Sequence, residues 1–408
     1  MRRRVAITGT GVICACGRNR AEFWNALRQG RSGIAPITLA DVTGLRFANG
    51  AEVRDWDGAQ HFEPAQLSLL DRFAQFTLLA AREALKDAGL ALTPQLRAST
   101  AVVTGSSMGG QATEEAGYEG LLRRGARVHP LTIPRSMANS GASHICIEFG
   151  ITGPAYTISS ACSSGNHAIG LALRAVQGGE AELAIAGGGE APITYTSLRA
   201  WETMRVIAPD TCRPFSKDRR GMILGEGAAM LVLEPLEAAR ARGARLYAEL
   251  AGFGMSSDAH HITQPSADGA AAAMRAALRD AAMAPEQVGY INAHGTGTPV
   301  NDLTETRAIR CVFGAHAERL AVSSTKSMHG HALGAAGAIE AVATLLALHE
   351  DVLPPTANFT APDPECGLDV VPNQARDVSA TPVECALSNS FAFGGLNAVL
   401  SFLRVATR

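Results

Sequence analysis

The sequence lacks the features that most directly assign a chain to a class: dense cysteines, an excess of one charge and a long apolar segment. Eight cysteines are spread over 408 residues, and no two of them form a CxxC pair. This spacing excludes a disulfide-rich scaffold, gives no sign of a metal site, and indicates a reducing, cytoplasmic setting. A formal net charge of -2 gives no basis for general nucleic-acid binding.

Membrane and targeting signals are also weak. The longest apolar stretch, residues 332–348, is shorter than a typical bilayer span and contains Glu340, so no membrane span is predicted. The opening Met-Arg-Arg-Arg followed by residues 5–16 superficially imitates a signal peptide. Because Gly9-Thr10-Gly11 interrupts it and charged sequence follows, we predict a buried first strand and turn instead.

Two common binding motifs are incomplete. Gly9-Thr-Gly11-Val-Ile-Cys14 lacks the third glycine of a dinucleotide fingerprint, and there is no Walker-type lysine loop. In a strand, Cys14 and Cys16 of the CxC pair would point to one face, and a core position is favoured over a redox or metal role.

The length and the pattern of apolar residues predict two similar α/β halves. A chain of 408 residues exceeds the usual size of a single core. Strand-like runs alternate with helical patterns, which indicates layered α/β architecture. A polar connection at residues 235–243 places the seam, giving halves 1–238 and 239–408. The predicted strands are 4–8, 100–104, 155–160, 183–186 and 229–234, then 246–252, 288–293, 320–324, 384–388 and 397–404; the helices include 73–90, 167–177, 268–282 and 332–349.

Cys162 is the first candidate catalytic residue. It follows a strand-like run and precedes the helical pattern at residues 167–177, whose only charged residue is Arg174. A thiol at the start of a helix faces the positive end of the helix dipole, so we expect the thiolate to be favoured. The alternative at this point is a small core cysteine.

Two histidines follow strands of the second half in the same way. His294 lies in Asn292-Ala-His-Gly-Thr-Gly-Thr298, and His331 lies in Lys326-Ser-Met-His-Gly-His331. Chemistry in open α/β sheets collects beyond the carboxyl ends of strands, so Cys162 and the histidines are expected to converge. Glu340 is the sole ionisable group of the helix at 332–348 and needs a partner, for which Lys326 is the candidate.

With these residues in place, the chain resembles the β-ketoacyl-acyl carrier protein synthases, the condensing enzymes of fatty-acid and type II polyketide synthesis, which have the thiolase fold. The resemblance covers essentially the whole length and is closest to the elongating type II enzymes. The motifs that carry it are Val5-Ala-Ile-Thr-Gly-Thr-Gly11, Ser160-Ala-Cys162-Ser-Ser-Gly, Arg213-Pro-Phe215 with Gly225-Glu-Gly227, Asn292-Ala-His294-Gly-Thr-Gly-Thr298, Ser324-Thr-Lys326-Ser-Met-His-Gly-His331 and Asn389-Ser-Phe391-Ala-Phe393-Gly-Gly395.

The resemblance implies a layered α-β-α-β-α fold and a set of residue roles. Cys162 would accept the acyl chain as a thioester, and two neutral histidines, His294 and His331, would assist decarboxylation of malonyl-carrier protein. Lys326 and Glu340 would support the histidines. The backbone N–H groups of Cys162 and Phe393 would form an oxyanion hole. The remaining implied roles are pantetheine binding by Thr296 and Thr298, gating by Phe393, an acyl-pocket position near the dimer interface at Met108, and substrate binding by Phe391.

The resemblance also implies partners. An acidic acyl carrier protein would bring its own phosphopantetheine arm, so no bound cofactor and no metal are expected. The chain would be a homodimer, or a heterodimer with a chain-length-factor-like subunit. Two arginine-rich clusters are candidates for carrier docking. One contains Arg123, Arg124 and Arg127, and the other contains Arg213, Lys217, Arg219 and Arg220.

Some positions depart from the family pattern. Ala392 replaces a usual glycine between the two phenylalanines, where a Cβ is expected to stiffen the gate. Leu396 replaces a threonine, Ser216 and Arg220 stand where aspartates are usual, and His329 occupies the place of a smaller residue. These changes favour a specialised pathway over bulk fatty-acid synthesis.

Two other interpretations stay open. A degradative thiolase would need a second catalytic cysteine in a glycine-rich C-terminal motif, where this chain has Phe391-Ala-Phe-Gly-Gly395. An inactive chain-length-factor-type subunit would typically have lost the cysteine, which is present here as Cys162. The sequence does not fix the length or saturation of the acyl chain.

Overall fold

The computed structural model describes residues 2–405, so Met1 and residues 406–408 of the two predicted halves lie outside the described residues. Ten strands form one mixed sheet. They are β1 Val5–Cys14, β4 Thr100–Gly105, β5 Ala155–Ile158, β6 Leu183–Glu190, β7 Gly227–Pro235, β8 Ala248–Ser257, β9 Val288–Asn292, β10 Ala321–Ser323, β13 Cys385–Phe391 and β14 Leu396–Leu403. Their order in the sheet is β10-β9-β13-β14-β8-β1-β7-β6-β4-β5. Two short pairs complete the strands: β2 Ala35–Pro36 with β3 Asn49–Gly50, and β11 Val352–Leu353 with β12 Arg376–Asp377.

The sheet consists of two five-stranded sets with the same topology. The first half runs β1-β7-β6-β4-β5, and the second half runs β8-β14-β13-β9-β10. They join where β1 and β8 pair antiparallel, through Ala6 with Glu249 and Ile7 with Ala248. Each of the ten predicted strands corresponds to a strand of this sheet. The sequence pattern did not indicate the short β1–β8 pairing or the two short strand pairs.

The helices form three layers around the two sets of strands. α8 and α14 lie between the halves and contact each other, α3 and α7 cover the first set, and α11, with α12 packed beside it, covers the second. This is the predicted α-β-α-β-α arrangement. The helices are α1 Arg20–Arg28, α2 Pro64–Leu67, α3 Arg72–Ala88, α4 Pro94–Ala98, α5 Gln111–Arg124, α6 Thr132–Ser136, α7 Ser140–Phe149, α8 Ser164–Gly178, α9 Tyr195–Thr203, α10 Leu236–Ala241, α11 Ala267–Asp280, α12 Pro299–Phe313, α13 Lys326–His329 and α14 Ala336–Glu350.

The first strand is buried along its whole length, which confirms the prediction made for the apolar N-terminal run. Gly9 and Gly11 allow α3 to approach β1 closely. A Cβ at Gly9 would lie 2.1 Å from the carbonyl oxygen of Ala84, and one at Gly11 would lie 2.0 Å from that of Ala80. The glycines of this motif therefore serve helix–strand packing.

Helix α14 is the central core helix. All of its residues from Ala336 to Leu348 are buried. The segment Leu333–Glu350 is long and apolar enough to cross a membrane, but 89% of it is buried inside the protein. Apolar character all round a helix is what a position between two sheets requires, so we interpret α14 as a core helix.

The connection between the halves is short. β7 ends at Pro235, α10 covers Leu236–Ala241, and β8 begins at Ala248. We propose that the seam lies in this connection, as the polar sequence predicted.

Candidate active site

Cys162 lies in a tight turn between β5 and α8, the buried helix that the sequence predicted. Ala161, immediately before it, has a φ of +50°, in the left-handed region that non-glycine residues seldom adopt. The turn is fixed at both sides: the Ser160 N–H donates to Ser164 Oγ at 2.9 Å. Ser163 Oγ donates to the carbonyl oxygens of Ser390 at 2.9 Å and Leu396 at 2.7 Å. This rigid turn holds the thiol at the interface between the halves.

The protonation state of Cys162 differs from the expectation. Burial raises the pKa of the Cys162 thiol to about 11, although the Lys326 ammonium and the backbone N–H groups of Phe393 and Cys162 lower it. Burial outweighs these favourable groups, so the position before α8 does not make the thiolate the resting form. The expectation that the thiolate is favoured is therefore wrong.

His294 lies directly beyond the end of β9, held by a buried carboxylate. Glu305, on α12, accepts the backbone N–H of His294 at 2.9 Å and that of Gly295 at 2.7 Å. The Lys326 ammonium lies 3.3 Å from Nδ1 of His294. An ammonium group has only hydrogens to offer, so Nδ1 is the acceptor and the imidazole proton lies on Nε2.

His331 has the same tautomer for a different reason. Its Nδ1 accepts the backbone N–H of Leu333 at 3.1 Å, which again leaves the proton on Nε2. Leu333 has a φ of +44°. Burial and the nearby Lys326 charge lower the pKa values of both His294 and His331 well below the usual range, so both imidazoles are neutral at physiological pH. This agrees with the expected pair of neutral histidines.

Lys326 and Glu340 form the predicted pair, fully buried. The Lys326 ammonium donates to Glu340 Oε1 and, at 2.7 Å, to the carbonyl oxygen of His294. Burial raises the pKa of Glu340 to about 7, and the Lys326 charge opposes that rise. The pair thus connects α14 to the segment that carries His294.

The three candidate catalytic side chains converge. A thiol or imidazole atom from each of Cys162, His294 and His331 lies within 4.8 Å of the others. The imidazole rings are 5.4 Å apart between centroids and nearly perpendicular, at 84°. All three line a cavity of about 230 Å³. One half supplies the thiol and the other supplies both imidazoles, as their positions after strands predicted.

A cysteine with two histidines is also a possible metal-binding set, but the geometry here disfavours it. Both Nδ1 atoms accept hydrogen bonds, so each Nε2 carries a hydrogen instead of a free lone pair. The Lys326 cation lies beside His294, and the thiol is protonated. Metal ligation requires deprotonated donors, so this arrangement suits hydrogen-bond donation.

His329 is separate from this cluster. It is fully buried, and its Nε2 lies 3.0 Å from Thr325 Oγ1. Burial lowers the pKa of His329 to about 3, and its ring contacts Phe23. We interpret it as a core residue.

Two aromatic residues and two threonines complete the predicted lining. Phe393 and Phe391 both line the cavity, and the Phe391 ring lies 6.1 Å from that of His294. Ala392 between them is extended, with φ −108° and ψ 156°, which a Cβ permits. Thr296 and Thr298 also line the cavity, with their hydroxyl oxygens 2.9 Å apart.

Other predicted residues lie elsewhere. Met108 is 51% exposed and does not line the cavity. Arg123 and Arg124 lie at the end of α5, and Arg127 follows the helix. All three side chains are exposed, and none of them lines the cavity. Arg220 does line the cavity, whereas Arg213 forms an ion pair with Asp210 at 2.8 Å. The docking and acyl-pocket roles of these residues stay predictions.

The structure adds lining residues that sequence reasoning missed. Trp201, at the end of α9, stacks on Phe393 with 6.1 Å between ring centroids. Arg205 and Ile262 also line the cavity, and the Gly394 N–H donates to the carbonyl oxygen of Ile262 at 2.7 Å. Trp201 is one of only three tryptophans, and that rarity was the one available signal. The other two residues lie in segments without a recognisable pattern.

Comparison with family models identifies both halves of the chain. Residues 2–239 match the model described as Beta-ketoacyl synthase, N-terminal domain. Residues 247–360 match the Beta-ketoacyl synthase, C-terminal domain.

Relatives and a solved structure match over essentially the whole length. The chain is 47% identical over 406 residues to Nodulation protein E of Rhizobium sp., covering 99% of this chain and 100% of the relative. It is 44% identical over 410 residues to a 3-oxoacyl-(acyl-carrier-protein) synthase 2 of Synechocystis sp., covering 98% of both. Among solved structures, the ishigamide ketosynthase/chain length factor matches with a TM-score of 0.93 and 39% identity over 100% of both chains.

Proposed function

The chain belongs to the beta-ketoacyl synthase family of acyl-transferring condensing enzymes, and we propose that it extends an acyl chain on Cys162 by two carbons taken from malonyl-acyl carrier protein. One observation carries the assignment of residues. A buried thiol and two neutral imidazoles, both protonated on Nε2, line one cavity within 4.8 Å of one another.

The first half-reaction transfers the acyl group to Cys162. The sulfur attacks the thioester carbonyl of the acyl carrier, the carrier's thiol leaves, and the thiol proton of Cys162 replaces the acyl group on the carrier. Negative charge develops on the carbonyl oxygen during this step. The backbone N–H groups of Cys162 and Phe393, which lower the pKa of the thiol, are suited to stabilise that oxyanion.

The second half-reaction releases carbon dioxide from malonyl-carrier protein and joins the remaining carbanion to the acyl group. Loss of carbon dioxide leaves an enolate oxygen that needs hydrogen-bond donors. The Nε2–H groups of His294 and His331 provide two, and because both imidazoles are neutral they donate without placing a permanent charge in the cavity. The enolate carbon then attacks the Cys162 thioester and expels the thiolate.

We assign Lys326 and Glu340 a positioning role. Lys326 holds both Nδ1 and the carbonyl oxygen of His294, and Glu340 compensates its charge. The cation fixes the tautomer of His294 through Nδ1. A buried charge of this kind is tolerated only when it is paired and hydrogen-bonded.

The carrier protein supplies the remaining chemistry. We propose that its phosphopantetheine arm binds near Thr296 and Thr298, so that the enzyme needs no resident cofactor and works in the cytoplasm. Arg205 and Arg220 lie at the cavity lining and suit an acidic carrier. These two arginines are therefore stronger docking candidates than the cluster at the end of α5.

A dimer is the proposed assembly. β5 is at the edge of the sheet, with a strand on one side only among the described residues, and α7 packs against it. Large exposed apolar side chains occur on α5, α6, α7 and β5, which suits burial against a second subunit. They are Tyr118, Leu121, Leu122, Ile133, Ile147 and Tyr156. The solved relative named a ketosynthase/chain length factor supports a heterodimer as the second candidate besides a homodimer.

The pathway is proposed to be specialised. Identity to Nodulation protein E, at 47%, is slightly above that to the 3-oxoacyl synthase 2, at 44%. The departures from the family pattern at Ala392, Leu396 and His329 also favour a specialised pathway.

The test is intact-protein mass spectrometry with acyl carriers of different chain length and saturation, followed by malonyl-carrier protein. We expect an acyl adduct on Cys162 that disappears as a β-ketoacyl product two carbons longer forms. An adduct that malonyl-carrier protein never discharges would contradict the condensation. If no carrier gives an adduct, the experiment is repeated with a chain-length-factor-type subunit, and continued failure would reject the proposal.

A further inference from the structure

Glu190, a buried carboxylate outside the catalytic set, lies at the end of β6. It is fully buried, and its hydrogen bonds among residues 2–405 all come from uncharged donors. Burial raises its pKa. A buried carboxylate without a counter-ion is costly unless several donors compensate it, so its contacts indicate what it is for.

Five donors from two segments converge on this carboxylate. Ser107 donates both its N–H and its hydroxyl to Oε2, each at 2.6 Å. The Gly334 N–H donates to the same oxygen at 3.1 Å. Oε1 accepts the Ser106 hydroxyl at 3.1 Å and the Met108 N–H at 3.2 Å. Glu190 therefore connects the loop after β4, in the first half, to the turn before α14, in the second.

The turn before α14 is the one that fixes His331. Leu333 has a φ of +44°, and its N–H donates to Nδ1 of His331 at 3.1 Å. The next N–H, that of Gly334, is the one that Glu190 accepts. Gly334 approaches so closely that a Cβ would lie 2.6 Å from Glu190 Oε2. The carboxylate thus holds the residue that follows the strained position.

We infer that Glu190 is a positioning residue for His331: by holding Gly334 it keeps Leu333 in its left-handed conformation and the His331 imidazole in the Nε2–H tautomer. The inference rests on the proposed function, in which that Nε2–H donates to the enolate. Without the carboxylate, Leu333 relaxes to negative φ and withdraws its N–H from Nδ1. The proton can then move to Nδ1, and Nε2 becomes an acceptor.

Two substitutions separate this role from simple loss of packing. Glu190→Met removes both acceptor oxygens and keeps the length of the side chain. Glu190→Gln keeps one oxygen, which can occupy the place of Oε2 and still accept from Gly334. We expect Glu190→Met to slow decarboxylation of malonyl-carrier protein about 10- to 100-fold, since misplacement of a reacting group by about 1 Å can cost about 100-fold. Glu190→Gln is expected to restore most of the rate, and acylation of Cys162 should change little in either variant.

The matched control is Glu234→Met. Glu234 is a buried carboxylate of the same half, on β7, where it accepts from Thr8 and Arg242. Its loss should lower stability without changing the decarboxylation rate.

The decisive readout is the imidazole nitrogen spectrum of His331 in protein labelled with ¹⁵N-histidine and assigned with His331→Gln. In the wild-type protein, Nδ1 of His331 should be unprotonated. The Glu190→Met protein should show a larger population with a proton on Nδ1, and the Glu234→Met protein should show the wild-type spectrum. The inference would be overturned if the Glu190→Met protein kept both the wild-type tautomer of His331 and the wild-type decarboxylation rate. It would also be overturned if Glu234→Met changed the tautomer and the rate as much as Glu190→Met does. If Glu190→Met does not fold, Glu190→Asp, which is one methylene shorter, is measured under the same criteria. Absence of decarboxylation by the wild type would instead reject the proposed function.

Discussion

The two halves of the molecule have the same strand order but bury different chemistry. In the first half, the turn between β5 and α8 contains Cys162 among small neutral residues. In the second half, the corresponding segment between β10 and α14 contains Lys326 and His331, and Glu340 lies on the helix that follows. The turn that carries the nucleophile therefore contains no charged residue, whereas the segment that carries His331 also carries the buried Lys326.

The pKa shifts on the two sides of the cavity are opposite in direction but have the same main cause. Burial disfavours the charged form of both groups, so it raises the pKa of the Cys162 thiol and lowers the pKa values of His294 and His331. The Lys326 cation adds to the shift of the histidines and opposes the shift of the thiol. Burial therefore keeps the imidazoles neutral and the Lys326 cation adds to this effect, while the same cation partly offsets the effect of burial on the thiol.

The largest effect is expected when the first half loses its nucleophile. Cys162→Ala should abolish acyl transfer and condensation, because no other cysteine among the described residues lines the cavity. Mass spectrometry after incubation with acyl carriers tests this, with Cys311→Ala, at an exposed cysteine far along the chain, as the control. If the Cys162→Ala protein were still acylated, the assignment of Cys162 as the nucleophile would be wrong.

The next largest effect is expected when the second half loses one of its hydrogen-bond donors. His294→Ala or His331→Ala should leave Cys162 acylation intact and slow decarboxylation about 100- to 1000-fold, the usual cost of one oxyanion donor. Release of labelled carbon dioxide from malonyl-carrier protein measures this step separately from acylation. Normal condensation by both variants would show that the two halves are not divided by function in the way described.

A third prediction concerns the buried pair of the second half. Glu340→Gln leaves the buried Lys326 ammonium without its counter-ion and should lower the free energy of unfolding by about 3–5 kcal/mol. Denaturant unfolding measures the loss. The control is Glu237→Gln, which breaks the solvent-exposed pair with Arg240 and should have no measurable effect. Equal small effects would mean that Lys326 does not depend on Glu340.

The pH dependence of the thiol tests the electrostatic side of the comparison. With a pKa of about 11, the thiolate fraction of Cys162 increases as pH rises and has not levelled off by pH 10. Alkylation of Cys162 by iodoacetamide should therefore accelerate about tenfold per pH unit from pH 7 to pH 10. A rate that is already constant above pH 7 would indicate a thiolate at neutral pH and would contradict the dominance of burial.

The smallest effect is expected at the gate. Ala392→Gly adds backbone freedom between Phe391 and Phe393, and a substitution of this kind alters conformational free energy by about 0.4–1 kcal/mol. Acyl exchange between Cys162 and the carrier should accelerate about two- to fivefold, measured by stopped-flow or quenched mass spectrometry. Unchanged exchange would mean that the stack of Phe393 on Trp201, and not the alanine, limits opening.

Sequence reasoning located the fold elements because each has a local signature. The ten strand-like runs correspond to the ten strands of the sheet, and the apolar N-terminal run is the buried β1. The cavity also contains Cys162, His294 and His331 as predicted, since residues at the carboxyl ends of strands meet at one edge. Met108, by contrast, was assigned by resemblance to the family and is half exposed in the single chain.

The sequence by itself determined the kinds of reactive group and the strand–turn–helix segments that present them, because these depend on neighbouring residues. Only the tertiary structure decided the protonation states and tautomers of these groups. The pKa of Cys162 depends on burial between two sheets, and the tautomer of His294 depends on Lys326, 32 residues away. The contact between Glu190 and Gly334 spans 144 residues. Desolvation and hydrogen bonds between distant segments exist only once the halves have packed, so no local pattern could reveal them.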